Sequence, residues 1–276
     1  MNITELWRYP VKSMQGERLD SVQVTAGGLT GDRAFALVDT ETGFVVSAKH
    51  PRKWRQILHC HAALDDAGVA TITLPDGSTT RSDAPDVDAR LSAVFGRDVT
   101  LASNAPDDRH YEMLFPDIEG VAPQEAIDDN RIGDEPDGTL ADMGLGLLAP
   151  PTSFFDLTAL HLVTSATLAA VGQPVRRFRP NVVVDADGVG YVENGWAGRS
   201  VALGATTQAQ VLIPTMRCVM TTLAQPGLDA DRGVLQTLAR ENRIEIPGVG
   251  TWACAGVYAT VTAPGDVAVG DAVTVS

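Results

Sequence analysis

The chain has 276 residues, 44% of them hydrophobic, and a formal net charge of −14; that is enough for one large domain or two modest ones with a real core. The acidity opposes non-specific binding to nucleic acid or anionic membrane, because the summed field repels phosphates. No apolar stretch reaches membrane-spanning length, and three cysteines without a Cys-x-x-Cys argue against a disulfide framework, a zinc ribbon or a four-cysteine iron–sulfur cluster.

Met1 to Glu5 show neither the basic start nor the apolar stretch of a signal peptide, so the expectation is a cytoplasmic protein. Ile3, Glu5, Trp7 and Tyr9 alternate with Thr4, Leu6 and Arg8, which predicts a strand ending at Pro10. Ser21 to Thr25 reads as a second strand, closed by Gly27-Gly28. Ala34 to Asp39 and Phe44 to Ser47 predict a hairpin about Thr40-Glu41-Thr42-Gly43, and Ala70–Leu74 and Ser78–Arg81 another about Pro75-Asp76-Gly77. Val87, Leu91, Val94 and Phe95 share one helical face, begun at Asp86 and stopped at Gly96. From Asn104 to Pro151 periodicity fails, acids dominate from Asp107 to Asp142, and the expectation is a long connection. Thr164 or Ser165 caps a short helix, Ala166 to Val171, ended by Gly172. Val182–Val184 and Ala209–Ile213 read as strands, and Val234–Arg240 as a helix with Val234, Leu235 and Leu238 inward. The tail, Trp252–Val261 and Val267–Val275, alternates and is expected to end as a strand pair. Many strands and few short helices predict a mainly β, α+β fold with a barrel-like core.

Cys218 sits in Met216-Arg217-Cys218 with Thr221-Thr222 just beyond. A neighbouring cation favours thiolate, the form that ligates metal or attacks an electrophile; cysteine is also commonly a core residue, and on residue chemistry the two readings stand level. Arg179 and Asn181 flank Pro180 and, on extended chain, share a face suited to a phosphate or a heterocycle edge. Lys12-Ser13 after Pro10, Arg33 after a glycine-rich turn, and Thr164-Ser165 at a helix start each add a weak anion-site signal. In so acidic a chain, the recurrence of Lys12, Arg33, Arg176, Arg177, Arg179 and Arg217 beside these segments points to one anion pocket. His59-Cys60-His61 offers two ligands on one strand face and no third, so a metal site there is discounted. Neither a dinucleotide or Walker glycine loop nor a nucleophile elbow is present.

Taken in order, Tyr9-Pro10-Val11-Lys12-Ser13, Gly28-Leu29 with Gly31-Asp32-Arg33, Leu162-Val163-Thr164-Ser165, Phe178-Arg179-Pro180-Asn181, Arg217-Cys218 with Thr221-Thr222, and Gly256-Val257-Tyr258 resemble the MOSC family. More closely they resemble its two-part members, such as the amidoxime-reducing component and its bacterial relatives. The resemblance implies a MOSC β-barrel core at 121–276 and a smaller N-terminal β-barrel-like region at 1–120, whose first strands, to about residue 33, pack into the core. It implies a molybdenum–pyranopterin cofactor with Cys218 as the protein's metal ligand and catalytic centre. Lys12, Ser13, Arg33, Thr164, Ser165, Arg179, Asn181, Arg217 and Tyr258 match positions that hold the pterin and its phosphate. The activity implied is reduction of a small N-hydroxylated or N-oxidised substrate, with electrons from a separate ferredoxin or flavoprotein-type donor and with no nucleic-acid or membrane partner. The alternative is a cofactor carrier or sulfur-transfer module using Cys218. Leu223-Ala224-Gln225-Pro226 and Asn242-Arg243 depart from the family's pattern and bear on loop shape and substrate access.

Overall fold

A computed structural model describes residues 1–106, 108–150 and 152–276 of the chain. Asp107, the first residue of the acidic stretch, and Pro151, the last of the expected connection, lie outside the described residues.

Two apolar runs form the centre. Leu160–Thr164 is buried at every position and Val182–Val184 at all three, the pattern of strands covered on both faces. They pair in parallel through the right length of crossover, which contains a helix at Ser165–Val171. Thr164 caps that helix by accepting from Thr167 N at 3.2 Å, and Gly172 ends it at φ 66°.

Around this pair grows a nine-stranded mixed sheet, whose strands we number along the chain: β1 (Asn2–Arg8), β2 (Glu17–Leu19), β3 (Leu160–Thr164), β4 (Val182–Asp185), β5 (Ser200–Leu203), β6 (Thr207–Met216), β7 (Arg243–Ile246), β8 (Gly250–Ala263) and β9 (Val273–Val275). The spatial order is β2-β1-β4-β3-β8-β6-β5-β9, with β7 also on β8. Backbone bonds Ile3 N to Asp271 O, Gly270 N to Ile3 O and Val273 N to Met1 O bring the start of β1 beside the chain's end. The sheet thus curls on itself but stops short of the continuous ladder of a closed barrel.

Several sequence expectations change here. A bulge between Ile3 and Glu5 turns both Ile3 and Leu6 inward, so the simple alternation from Ile3 to Tyr9 does not hold. Ala36–Asp39 takes Val99–Ala102 as its strand partner; the predicted hairpin about Thr40–Gly43 forms in short, with Asp39 N donating to Phe44 O and Val46 N to Leu37 O around a bridge of Val38 with Val45. The supposed connection after Asn104 contains a three-stranded antiparallel sheet, His110–Pro116, Gly138–Gly144 and Arg131–Glu135, with a short helix at Gln124–Asp128. Its outer positions are polar and acidic, which masks the inward set Tyr111, Met113, Leu114 and Phe115. The tail strands do not pair with each other: β8 joins β6 and β3, Gly265–Ala268 joins Ser21–Thr25, and β9 joins β5.

The segment from Val11 to Val99 packs largely about Val11, Met14, Leu37, Ile57, Leu58 and Leu91, with Met220 joining from the C-terminal half. It holds the predicted hairpin, Ala70–Thr73 with Thr79–Arg81, and the predicted helix Val87–Phe95, closed at Gly96. Cys218 packs against this apolar cluster and against the one beneath the Tyr111 sheet, at the meeting of the N- and C-terminal segments.

Candidate functional site

Ser13, Arg33 and Arg179 are the non-glycine residues at positive φ among the described residues, at 66°, 47° and 55°. Each costs about 1–2 kcal/mol relative to the right-handed basin, and all three line one cleft. Strain placed together in this way marks a surface shaped for a ligand.

Three segments build the floor. Lys12 and Ser13 follow β1 after Pro10; Ser13 Oγ accepts from Ala48 N at 3.1 Å and ties this corner to the segment carrying Lys49. Arg33 Cζ and Arg179 Cζ lie 4.5 and 4.2 Å from the centre of the Tyr9 ring, so one aromatic ring holds both guanidiniums by cation–π contact. Burial pushes the Tyr9 hydroxyl up to about 12 in spite of both arginines. Arg33 pairs with Asp32 and donates to Arg179 O at 3.2 Å, while Arg179 donates to Met14 O at 2.6 Å. Asn181 lines the cleft but acts as a brace: its amide donates to Asp32 and Trp7 O and accepts from His161 N.

The far wall carries the thiol. Cys218 leaves β6 in extended conformation and starts the tight turn Val219–Thr222. Thr221 Oγ1 donates to Cys218 O and Thr222 Oγ1 to Val219 O, so these hydroxyls are spent on the turn. Arg177, buried behind it, donates to the carbonyls of Thr221, Leu223 and Asp229 and clamps its shape. Cys60 and Cys254 are buried, and burial pushes both thiols up to about 12; Cys218 is the half-buried, cleft-lining one. Beside it Arg217 donates to Phe178 O at 2.8 Å, and its Nη1 approaches His161 Nε2 at 3.5 Å. Burial first, then Arg217 and Arg33, hold His161 well below the usual histidine range, so its imidazole is neutral. Arg217 Nε is buried without a partner, a donor that an incoming acceptor would satisfy.

Charge is unbalanced. Lys12, Arg33, Lys49, Arg179 and Arg217 line the cleft with Asp156 as the one lining carboxylate. Arg179 is drawn down to about 10 by burial and then by Arg33, and Lys12 down to about 8 by burial, against the pull of Asp156. Lys49 donates to Tyr111 Oη at 3.0 Å, 4.4 Å from the ring centre. Its burial is outweighed by Asp156, Tyr111 and Cys218, which hold it well above the usual lysine range. The cleft proper has a volume of ≈ 70 Å³, room for a few waters.

The structure brings Lys12, Ser13, Arg33, Arg179, Asn181, Arg217, Cys218 and Tyr258 together. It does not bring Thr164 and Ser165 to them. Thr164 is fully buried, capping its helix and donating to Glu193, and Ser165 donates to Asp185; the short helix starts away from the cleft. Arg176 and Arg177 are not lining residues either, and Arg177 serves the turn behind Cys218. Sequence reasoning missed Lys49, Asp156 and His161. Lys49 left a signal, a lysine in the otherwise apolar and small run Val45 to Ala48 before His50-Pro51; Asp156, one acid in an acidic chain, left none. Among the described residues no group of three or more potential metal-ligating side chains occurs, and no helix is long and apolar enough to cross a membrane.

Residues 1–111 match the MOSC N-terminal beta barrel domain and residues 154–274 the MOSC domain. Mitochondrial amidoxime-reducing component 1 of Homo sapiens is 24% identical over 295 residues, covering 98% of this chain and 82% of its own. The protein of the same name from Mus musculus is 24% identical over 289 residues, covering 98% and 81%. The crystal structure of the YUAD protein from Bacillus subtilis aligns over 99% of this chain and 94% of its own, at 11% identity and a TM-score of 0.42.

Proposed function

The chain belongs to the MOSC family, and from that premise we propose that the cleft holds a molybdenum–pyranopterin cofactor and that the protein is an oxidoreductase. Its substrate class is the small N-hydroxylated or N-oxidised compound, reduced by two electrons and two protons to the amine-type product and water. The relatives named for amidoxime reduction support this choice of class. The observation that carries the reading is the convergence on a half-buried thiol of five cations, two of which, Arg33 and Arg179, hold a left-handed backbone, as does Ser13 beside Lys12.

The donor set fits such a group. One soft sulfur ligand, Cys218, faces a cationic floor, and the buried Arg217 Nε lacks an acceptor. When bound, the cofactor would supply a two-electron redox centre for the reduction of the substrate. The chain's own contribution is to hold and orient it. Cys218 is aimed by the turn that Arg177 clamps, Arg33 and Arg179 offer guanidinium charge beside Tyr9, and neutral His161 accepts from Arg217. Electrons come from a separate donor protein of ferredoxin or flavoprotein type.

Molybdenum and pterin content, measured on protein from a host that makes the cofactor, tests this. Near-stoichiometric metal in the parent is expected, with loss of the metal or of its thiolate spectral signature in Cys218→Ser. A parent free of metal and pterin from that host would sink the oxidoreductase reading and leave sulfur transfer through Cys218 as the reading to pursue.

A further inference from the structure

We propose that Asp156 is an internal stand-in for the anionic ligand of the cleft: it bridges Lys12 and Lys49, keeps the two halves of the site assembled, and is displaced when an external dianion of the phosphate class enters. The proposal deepens the reading above. It rests on an anion entering this cleft, and not on the metal.

Three observations carry it. First, the Asp156 carboxylate pairs with Lys12 Nζ through one oxygen and with Lys49 Nζ at 3.2 Å through the other. Lys12 Nζ also donates to Phe154 O at 3.0 Å, so both ammoniums converge on one short segment. Second, the layering is that of a stopper. The side chains of Lys12 and Lys49 are 5% and 7% exposed, whereas that of Asp156 is 34% exposed. An arriving anion therefore meets the carboxylate first and the cations beneath it. Third, Asp156 is the one carboxylate lining the cleft against five cations, so its withdrawal would leave them facing an entering anion. Arg217, which also lines the cleft, has its Nε buried without an acceptor.

Chemistry favours exchange. Two buried ammoniums a few ångströms apart demand a counter-charge, and a single monoanion satisfies them only in part. A phosphate dianion brings twice the charge and more acceptor oxygens to the same donors. Release asks little of the backbone. Asp156 lies in a stretch without regular secondary structure whose main chain is held by Gly146 N and Leu148 N bonds to Asp156 O and Leu157 O. The side chain can rotate outward while those bonds remain. Lys12 and Lys49 belong to the N-terminal match and Asp156 to the MOSC match, so the bridge also joins the two segments.

The test uses full-length protein from a host that lacks the cofactor, titrated with inorganic phosphate at constant ionic strength maintained with chloride, and reads the thermal midpoint. The parent is expected to respond weakly. Asp156→Asn is expected to start from a lower midpoint and to reach half-saturation at a phosphate concentration about tenfold lower or less, because the internal competitor is gone. Lys49→Met is expected to lose the response. Equal half-saturation in Asp156→Asn and parent, or no response in either, overturns the proposal. If Asp156→Asn does not fold, the parent and Lys49→Met decide: phosphate must raise the parent's midpoint and leave that of Lys49→Met unmoved, and any other result overturns it. Metal and pterin analysis is a separate readout, so failure of the cofactor reading and failure of the stand-in are told apart.

Discussion

His161 lies in β3, where every position is buried, and its ring is held by Arg217 on one side and sits 5.8 Å from the Tyr258 ring on another. Burial and the two arginines keep it neutral. An unfolded histidine takes up its proton near pH 6.5, whereas folded His161 resists until well below that. Between those points the unfolded chain binds more protons, so stability is lost as pH falls, by up to about 1.4 kcal/mol per pH unit. Urea midpoints at pH 7 and pH 5 should show this decline, and His161→Gln should flatten it; an unchanged slope in the variant would remove His161 as the cause. The sequence offered no route to this residue. A single histidine among leucine and valine looks the same whether it packs inertly or faces an arginine. Cys218, Arg217, Arg33 and Arg179 were legible because their chemistry is carried by residue type in short segments, whereas Lys49 and Asp156 enter the site only through long-range contacts.

Among the elements, β8 shows how backbone geometry shapes the cleft. Gly256 has φ 82°, and a Cβ there would stand 2.4 Å from His161 Nε2 and 2.6 Å from Leu162 O. The second contact is backbone and cannot step aside. Gly256→Ala is therefore expected to destabilise by about 2–4 kcal/mol, combining left-handed strain with overpacking, and to disturb the His161 and Tyr258 wall. A denaturation midpoint within error of the parent's would refute that. The helix Gly233–Glu241, with Val234, Leu235 and Leu238 inward, followed from periodicity alone, as did the helix closed at Gly96. The sheet at His110–Gly144 did not. Its Pro136-Asp137-Gly138 corner carries the same turn residues as Pro75-Asp76-Gly77, but the acids on either side hid the inward strand positions.

In the whole molecule, the N-terminus belongs to the C-terminal sheet. β1 covers the edge of β4 along Asn2–Leu6, and Ile3 and Leu6 enter the same apolar cluster as Leu160, Leu162, Val182 and Val184. A fragment of residues 112–276 would expose that strand edge and lose four side chains of that cluster, Ile3, Leu6, Val24 and Leu29. It is expected to aggregate or remain largely unfolded by circular dichroism and sedimentation, and a soluble, cooperatively melting fragment would contradict this. The net charge of −14 lies over the molecule as a whole, while the cleft gathers five cations against one carboxylate. That opposition lets an acidic surface coexist with an anion-seeking interior.

The strands and helices outside 104–151 that carry a clear period, the Gly96 and Gly172 helix stops, and the identity of the thiol and arginine segments could be read directly from the chain, because each rests on neighbours a few residues apart. Strand partners could not, since a tail strand alternates identically whether it pairs with its neighbour or with Ser21–Thr25. Nor could the membership of the cleft: Thr164 and Ser165 were turned to a helix cap and Asp185, Arg177 to the back of a turn, and Lys49 and Asp156 were brought in from 100 residues apart or more. Pairing and convergence at such separations are set by packing of the assembled core, which no local pattern encodes.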